Sequence, residues 1–301
     1  MPSSPSAPGL RPAAGTPRPL WSVALGARPR GLSLAREKGW LLAWDEAGWL
    51  TLLDRKGVRQ AQRHEDGGVA VACAADDGSA YVSVSGSGEL RWLAPDLMPR
   101  WQHALSAAPL AAALDPFGRL LAVSDTRGNL HLFDHGGRRV AQAQTARPLY
   151  HLALVPEAPL LVGCADFGLV AGFDLAGRQV WRDGLVAIVG ALAVSGDGGR
   201  IVLACFSDGL RPYTLTGQKG SPVTLTEPCR LVALSYTGDR ALTAGLDRQL
   251  TLLDREGRVL SSFSLDATVT ALTLAALGEA AAVALADKRI VSLDLRPARR
   301  A

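Results

Sequence analysis

Histidines and cysteines are the residues of this sequence best suited to bind a metal or to act as nucleophiles. The histidines are His64, His103, His131, His135 and His151, and the cysteines are Cys73, Cys164, Cys205 and Cys229. A metal site requires several such ligands at short spacing, as in Cys-X-X-Cys or in paired histidines with an acid. Only His131 and His135 are close together, and the apolar pattern places the first in a strand and the second in the next turn. The sequence therefore predicts no metal site.

The four cysteines fall in separate segments of the chain, mostly inside apolar runs. Their even number is compatible with disulfides, and thiolates can also hold a metal. The absence of any Cys-X-X-Cys spacing favours buried free thiols in a reducing compartment over both alternatives.

Aspartates recur along the chain at regular intervals. One set is Asp54, Asp134, Asp174, Asp254 and Asp294, and a second is Asp125, Asp166, Asp208, Asp247 and Asp287. Two carboxylates in one cleft could perform acid–base catalysis. A periodic aspartate at the end of a strand is instead typical of a turn, where its carboxylate accepts backbone hydrogen bonds. We therefore expect both sets to be structural, and we expect neither catalysis nor a bound cofactor.

These residues are positioned by a repeat of 40 residues. Seven segments align without gaps: LTLLD at 50–54, LRWLA at 90–94, LHLFD at 130–134, VAGFD at 170–174, LRPYT at 210–214, LTLLD at 250–254 and IVSLD at 290–294. A second strand-like run precedes each of them, and its middle residue is small: Ser33, Cys73, Ala113, Ala153, Ala193, Ala233 and Thr273. Small side chains suit an innermost strand that is crowded around a central axis.

Each repeat contains four short strands separated by turns, at 30–34, 40–44, 49–53 and 59–64 in the first complete row. Glycines follow most copies of the recurring segment, where a tight turn needs positive φ. Four strands in about 40 residues make one propeller blade. The sequence therefore predicts an all-β, seven-bladed propeller with four antiparallel strands per blade. An open solenoid or a pair of sandwiches would not produce seven equal repeats.

The ends of the chain are out of phase with the repeat. Trp21 shares a column with Trp101 and Trp181, in the fourth and outermost strand, whereas the last row stops after its third strand. We therefore expect residues 20–25 to pair with 290–294 and to complete the last blade. The predicted organisation is a disordered Pro/Ser/Ala-rich segment at 1–17, one propeller at 18–296 and a basic tail at 297–301.

Composition disfavours nucleic acids and membranes as partners. The net charge is +4, but between positions 21 and 294 there are 27 basic and 28 acidic residues, so no basic stripe is predicted on the folded part. No apolar run is long enough to span a bilayer, and no signal-peptide core is present. We expect a cytoplasmic monomer, and the high content of Arg, Ala, Gly and Leu suggests a bacterial origin.

The segment DPFGRLLAVSDTRGNLHLFD at 115–134 resembles the WD-repeat signature, although Phe replaces the Trp before the final Asp and Leu mostly replaces the Gly-His pair. The resemblance extends loosely over the whole chain and implies a propeller without the Asp-His-Ser/Thr-Trp hydrogen-bond network. GFDLAGRQVW at 172–181 is equally similar to the quinoprotein-type repeat, whose blades end in Leu-Asp, a Gly turn and a Trp. Both families consist of propellers.

The WD resemblance implies a scaffold that binds a protein or peptide on the face formed by inter-blade loops and by the turns between second and third strands. The candidate residues on this face are Arg30, Trp44, Asp45, Tyr150, His151, Phe167, Phe206, Arg230, Arg248 and Lys288. Trp44, Phe167 and Phe206 could equally pack between blades. A quinoprotein- or lactonase-type enzyme or cofactor binder is the alternative function, and the missing export signal disfavours a periplasmic assembly propeller.

Overall fold

The computed structural model describes residues 17–296, and within this range all regular secondary structure is β-strand. Almost all of the segment predicted to be disordered, and the whole predicted basic tail, lie outside the described residues. The 27 strands form seven antiparallel sheets arranged as consecutive blades around a central channel. The predicted seven-bladed propeller is therefore confirmed. No helix that could cross a membrane occurs among residues 17–296.

One strand, β1 (Arg18–Ala24), precedes the first blade in the sequence. Blade 1 contains β2 (Pro29–Ala35), β3 (Trp40–Asp45), β4 (Trp49–Leu53) and β5 (Arg59–His64). Blade 2 contains β6 (Val71–Ala74), β7 (Tyr81–Val84), β8 (Glu89–Leu93) and β9 (Pro99–Ala104). Blade 3 contains β10 (Pro109–Leu114), β11 (Leu120–Asp125), β12 (Asn129–Asp134) and β13 (Arg139–Gln144).

The second half of the chain continues the same pattern. Blade 4 contains β14 (His151–Leu154), β15 (Leu160–Cys164), β16 (Val170–Asp174) and β17 (Gln179–Asp183). Blade 5 contains β18 (Val189–Val194), β19 (Ile201–Cys205) and β20 (Gly209–Tyr213). Blade 6 contains β21 (Leu231–Leu234), β22 (Arg240–Ala244), β23 (Gln249–Asp254) and β24 (Val259–Ser264). Blade 7 contains β25 (Val269–Leu274), β26 (Ala280–Leu285) and β27 (Arg289–Asp294).

The seventh blade is completed by the N-terminal strand, as the phase of Trp21 predicts. Strand β1 pairs antiparallel with β27, with Trp21 opposite Ser292 and Ala24 opposite Arg289. The same sheet then continues through β26 to β25, so its order is β1-β27-β26-β25. The pairing satisfies the edge of β27, which would otherwise expose a row of backbone hydrogen-bonding groups.

Blade 5 differs from the others because its fourth strand is reduced to two isolated bridges. Lys219 pairs with Tyr213, and Val223 pairs with Leu210. Between these bridges the carbonyl of Pro212 accepts a hydrogen bond of 2.9 Å from the backbone N–H of Gly220. A proline has no N–H to return this bond, so the ladder on the outer side of β20 is interrupted.

The apolar core lies between neighbouring blades and not in the channel. One cluster joins Leu42, Leu50 and Leu52 of blade 1 to Tyr81 and Leu93 of blade 2, and all five are almost completely buried. Equivalent clusters occupy the other junctions. The second and third strands are apolar at successive positions because both faces of a blade are covered by its neighbours.

Three outer-strand tryptophans connect one blade to the next by an identical contact. Trp21, Trp101 and Trp181 each donate an indole N–H bond of 2.8–2.9 Å to a backbone carbonyl 34 residues later. Each ring also lies against a glycine in the adjacent turn: Gly57, Gly137 and Gly217. These glycines have φ between +78° and +84°, and an added Cβ would approach the indole within 2.6–3.0 Å. Glycine is therefore required both by the backbone conformation and by the ring.

At the junction of blades 1 and 2 the large side chain comes from the turn and the small one from the outer strand. Ala61 stands in the tryptophan column, and Leu97 stands in the glycine column with φ of +65°. The Leu97 side chain is 1% exposed and belongs to the cluster on which Ala61 packs. A large side chain on the turn thus replaces a large side chain on the strand, at the cost of a left-handed conformation that disfavours leucine.

Leu97 and Lys288 are the two non-glycine residues of the described chain with positive φ, and we expect glycine to have opposite effects at these positions. Lys288→Gly should raise the free energy of unfolding by about 0.5–1 kcal/mol, because Lys288 is exposed and only strain is removed. Leu97→Gly should lower it by about 2–4 kcal/mol, because the loss of a buried leucine outweighs the relieved strain. Urea unfolding of both variants measures these changes, and two changes of the same sign would contradict the explanation.

Candidate binding face at the channel mouth

The turns between second and third strands and the loops between blades lie on one side of the disc, which we call the upper face. Of the aspartates predicted for these turns, Asp125, Asp247 and Asp287 accept a backbone N–H bond from the turn, whereas the carboxylates of Asp166 and Asp208 accept none within residues 17–296. Asp45 Oδ1 accepts backbone N–H bonds of 3.0 Å from Ala47 and Trp49. Asp125 Oδ1 accepts equivalent bonds from Arg127 and Asn129 at 2.9 and 3.0 Å. These carboxylates are occupied by the turn.

The aspartates that end third strands form similar turns on the lower face. Asp134 and Asp174 each accept the backbone N–H groups two and four residues later, at 2.9–3.0 Å. Each then pairs with the side chain of Arg138 or Arg178, respectively. These hydrogen bonds lower the pKa of both carboxyl groups below the ordinary aspartate value. The predicted turn role is confirmed for all five aspartates that end third strands.

Two residues predicted for the partner-binding face are buried. Trp44 is 8% exposed, and its indole ring lies where a side chain on Gly31 of the adjacent strand would stand. Asp45 is 2% exposed and caps the turn described above. For Trp44 the structure thus decides in favour of packing between blades, because the glycine opposite leaves room for an indole. Neither side chain can contribute to a partner surface in this conformation.

The apolar patch, formed by Phe167, Val186 and Ile188, is the most exposed apolar feature of the upper face. Their exposed fractions are 42%, 82% and 60%. Phe167 pairs with Ile188 through an antiparallel bridge, so the turn of blade 4 and the loop leading to blade 5 lie side by side. Phe206, which is half-buried, borders the patch and donates its backbone N–H to the Ile188 carbonyl at 2.9 Å.

The upper end of the inner strands forms a ring around the channel, which we call the mouth ring. Its seven members occupy one column of the repeat: Arg30, Ala70, Leu110, Tyr150, Gly190, Arg230 and Thr270. In blades 1, 3, 5 and 7 the pairing register shifts at this residue, so it is the extra residue of a β-bulge. Bulges redirect side chains away from the regular ladder. The ring contains two arginines and no acidic residue.

One side of the mouth ring is basic. Arg30 is exposed, and Arg230 is half-buried with one guanidinium nitrogen donating to the Val269 carbonyl at 2.8 Å. Burial first, and then the neighbouring charge of Arg28, lower the pKa of Arg230 below its ordinary value. Arg28, Arg30 and Arg230 form no ion pair with any carboxylate among residues 17–296.

The opposite side of the ring carries Tyr150 and, directly below it, His151. Tyr150 is 43% exposed. His151 Nε2 lies 3.3 Å from the Val189 carbonyl, which can only accept, so Nε2 carries the proton. Burial lowers the pKa of His151, against the opposing effects of this bond and of Asp166. The imidazole is therefore neutral at pH 7, and it belongs to the wall between blades 4 and 5.

The remaining predicted site residues lie on the upper face outside the ring. Arg248 is exposed on the turn of blade 6 and donates to the Asp266 carbonyl at 3.4 Å. Lys288 is exposed on the turn of blade 7, and its backbone carbonyl accepts the Leu25 N–H at 2.8 Å. Both residues extend the basic side of the face away from the channel.

Buried polar groups occur at the blade junctions in an arrangement unlike the WD network. In blade 2, Glu65 of the preceding loop is 2% exposed and pairs with Arg63 at 2.7 Å and with Arg91. In blade 3, His131 Nε2 lies 3.2 Å from Asp125 Oδ2, and both side chains are buried. Burial raises the pKa of Asp125, but hydrogen bonds from Asn129, His131 and Arg127 outweigh it and lower the pKa overall.

The cysteines and histidines do not converge on a metal site. All four cysteines are unpaired and buried, as predicted. Burial raises the pKa of Cys73 and Cys229 to about 12, so their thiols stay protonated and are poor nucleophiles at pH 7. His131 is buried and His135 is exposed, as their places in a strand and a turn imply. Across residues 17–296, no group of three or more His, Cys, Asp or Glu side chains is placed to hold a metal.

Sequence reasoning missed several residues of this face. Val186 and Ile188 were detectable, because VAI at 186–188 is apolar where the other inter-blade loops carry Gly, Pro or polar residues, as in GAR at 26–28 and TEP at 226–228. Thr270 shares a column with Arg30 and Arg230 but has no distinctive neighbours in sequence. Arg28 could not be identified as a site residue from the sequence, because its effect on Arg230 depends on closure of the ring.

Comparison with known proteins adds no family assignment. No protein-family profile matches the chain, and no curated protein sequence matches it. The classification that follows from the described residues is therefore one of fold: the chain is a seven-bladed β-propeller closed by its own N-terminal strand.

Proposed function

We propose that this protein is a non-catalytic interaction scaffold that binds a peptide segment of a partner protein on the upper face. The single observation that carries the proposal is the apolar patch, in which Phe167, Val186 and Ile188 are all substantially exposed. Contiguous apolar side chains on the surface of a soluble domain are typical of interaction sites. In this proposal the protein acts as a monomer in the cytoplasm.

The position of the patch supports the proposal as much as its composition. The patch lies beside the channel mouth, where Tyr150 of blade 4 is also exposed. Arginines occupy the opposite side of the mouth ring. Aromatic residues and arginine are the residue types that most often dominate binding energy at interfaces. The blade-to-blade contacts of Trp21, Trp101 and Trp181 hold this surface on a rigid frame, which reduces the entropy lost on binding.

The family relationship that we propose is to degenerate bacterial repeats between the WD and quinoprotein types. The aspartate-capped turns agree with WD repeats, as at Asp45 and Asp125. The outer-strand tryptophans against turn glycines agree with the quinoprotein-type pattern of a Gly turn followed by a Trp. Packing and the Glu65 and Asp125 clusters take the place of the missing WD hydrogen-bond network.

A selection from a library of random displayed peptides tests the proposed function with the full-length protein as bait. We expect wild-type protein to enrich a defined consensus containing apolar residues. The double variant Val186→Ser/Ile188→Ser should bind the enriched peptides at least tenfold more weakly, a loss of about 1.4 kcal/mol or more. Both side chains are exposed, so the substitutions should leave the melting temperature unchanged.

The matched control is Val259→Ser/Leu277→Ser. Val259 lies on the outer strand of blade 6 and is 61% exposed, and Leu277 lies in a lower-face turn and is 75% exposed. The control therefore removes two large, exposed aliphatic side chains that are far from the apolar patch. This variant should retain full affinity. Absence of any enriched consensus, or equal weakening by both double variants, would refute a peptide site on the apolar patch.

A further inference from the structure

Two arginines on the basic side of the mouth ring, Arg30 and Arg230, and Arg28 of the adjoining loop form no ion pair with a carboxylate of residues 17–296. Inner strands β21, β25 and β2 are consecutive around the channel, so Arg230, Thr270 and Arg30 follow one another along the ring. Arg28 belongs to the loop that leads into β2, and its positive charge contributes to the lowered pKa of Arg230. The exposed Glu46 donates its backbone N–H to the Arg28 carbonyl, but its carboxylate forms no ion pair with a basic group of residues 17–296.

Two polar atoms at this point of the ring are buried without a hydrogen-bond partner among the described residues. They are Arg230 Nε and Thr270 Oγ1. The Arg230 guanidinium is fixed beside Thr270, because its terminal nitrogen donates to the carbonyl of Val269 at 2.8 Å. An unpaired buried polar atom is costly, and in folded proteins most such atoms are satisfied by protein groups, ordered water or a ligand.

Electrostatics favours an anion at the same place. Arg28 and Arg230 repel each other, and partial burial of Arg230 limits the screening of this repulsion by water. A negatively charged group beside Arg230 would offset this repulsion. An arginine guanidinium binds a planar carboxylate through two parallel N–H bonds, and such charge-assisted bonds are about twice as strong as neutral ones.

The shape of the mouth limits the size of the ligand. On the other side of Arg230 the ring residue is Gly190, where an added Cβ would stand 2.5 Å from the Arg230 carbonyl oxygen. The inner strands therefore approach each other closely, and Arg230 is reached from the upper face. Between positions 21 and 294, acidic and basic residues are nearly equal in number. This distribution fits one anionic group better than a polyanion or a charged membrane.

We propose that Arg28, Arg30, Arg230 and Thr270 form a carboxylate-binding site at the channel mouth, which receives an Asp or Glu side chain of the bound peptide. The assignment rests on the proposed function, because the peptide that covers the apolar patch of blades 4 and 5 would present its acidic residue across the mouth. The proposed partner is therefore a peptide segment that combines apolar and acidic residues.

Titration calorimetry with a capped tetraglutamate peptide tests the site on the full-length protein. Tetraglutamate should bind, and capped tetraglutamine should not. Arg230→Gln should weaken tetraglutamate binding at least tenfold. Arg30→Gln should also weaken it, and this second variant keeps the test valid if Arg230→Gln unfolds, because Arg30 is exposed and its side chain has no hydrogen bond in the described chain.

The matched control is Arg182→Gln, which removes the same charge from an exposed position on the outer strand of blade 4. This variant should bind tetraglutamate as wild type does. Equal weakening by Arg182→Gln, or equal binding of tetraglutamate and tetraglutamine, would show that no specific carboxylate site exists. Tighter binding of free inorganic phosphate than of tetraglutamate would overturn the peptide assignment in favour of phosphate.

The outcome is separable from that of the peptide selection. Tetraglutamate has no apolar side chain for the apolar patch, so its affinity should be the same for wild type and for Val186→Ser/Ile188→Ser. A selected consensus without acidic residues, together with no tetraglutamate binding, would refute the carboxylate site and leave the scaffold function standing. Failure of the selection with intact tetraglutamate binding would refute the scaffold function, and with it the peptide as the source of the carboxylate, while the carboxylate site itself would stand.

Discussion

Deletion of residues 1–25 is expected to lower the melting temperature by on the order of 10 °C or more, or to cause aggregation. The deletion removes β1, whose backbone bonds to β27 complete the seventh blade. It also removes the Trp21 N–H bond of 2.9 Å to the Arg55 carbonyl of blade 1. The unpaired edge of β27 would then be available for pairing between molecules. Thermal unfolding followed by circular dichroism, with light scattering, measures both effects.

Deletion of residues 1–15 is the control for this experiment. It leaves all of β1 (Arg18–Ala24) in place, so the melting temperature should change by no more than a few degrees. If the two truncations gave the same melting curve, ring closure by β1 would not contribute to stability. The shorter deletion therefore separates loss of the closing strand from loss of the N-terminal segment as such.

Substitution of Glu65 by Leu is expected to destabilise the fold by about 3 kcal/mol. Glu65 is 2% exposed, and it compensates the charges of Arg63 and Arg91, whose side chains are 25% and 15% exposed. Its Oε1 atom also accepts a hydrogen bond of 3.4 Å from the hydroxyl of Ser83. Removal of one partner of a buried ion pair typically costs about 3–5 kcal/mol. The lower end of this range applies here, because Arg91 keeps a second acidic partner in Glu89, whose Oε1 lies 2.5 Å from the guanidinium. Urea unfolding measures the change.

The repeat itself supplies the variant that should restore stability. In blade 7 the columns of Glu65 and Arg91 hold Leu265 and Val291, both buried. The double variant Glu65→Leu/Arg91→Val copies this apolar pair into blade 2, so it should recover most of the loss, because an apolar pair can replace a buried ion pair at little or no cost. Additive destabilisation by the two substitutions would show that the ionic network has no apolar equivalent at this junction.

The fold could be predicted from the sequence because the period of the repeat is a local property of the chain. Four strands per 40 residues, with glycine after the third strand, define a blade without knowledge of any long-range contact. The strands of blade 1, predicted at 30–34, 40–44, 49–53 and 59–64, agree with the observed strands to within one residue at each end. Even the long-range pairing of β1 with β27 followed from the phase of Trp21.

Departures from the repeat were decided by backbone pairing within a blade and by packing between blades. The irregular fourth strand of blade 5 arises from Pro212, whose missing N–H matters only because its carbonyl faces the outer edge of the sheet. Leu97 takes a left-handed conformation because Ala61 of the preceding blade leaves space for its side chain. The explanation for Leu97 requires two segments from different blades, which are adjacent only in the folded ring.

The candidate site depended still more on tertiary structure. The sequence by itself placed Arg30, Tyr150, Phe167 and Arg230 on the upper face, because the column of a repeat determines which end of a strand a residue occupies. It could not determine that Trp44 is buried over Gly31, nor that Arg28 approaches Arg230 from a blade at the other end of the chain. The exposure of a side chain and the distance between charges of different blades depend on which surfaces meet when the ring closes. A local sequence pattern contains no information about those contacts.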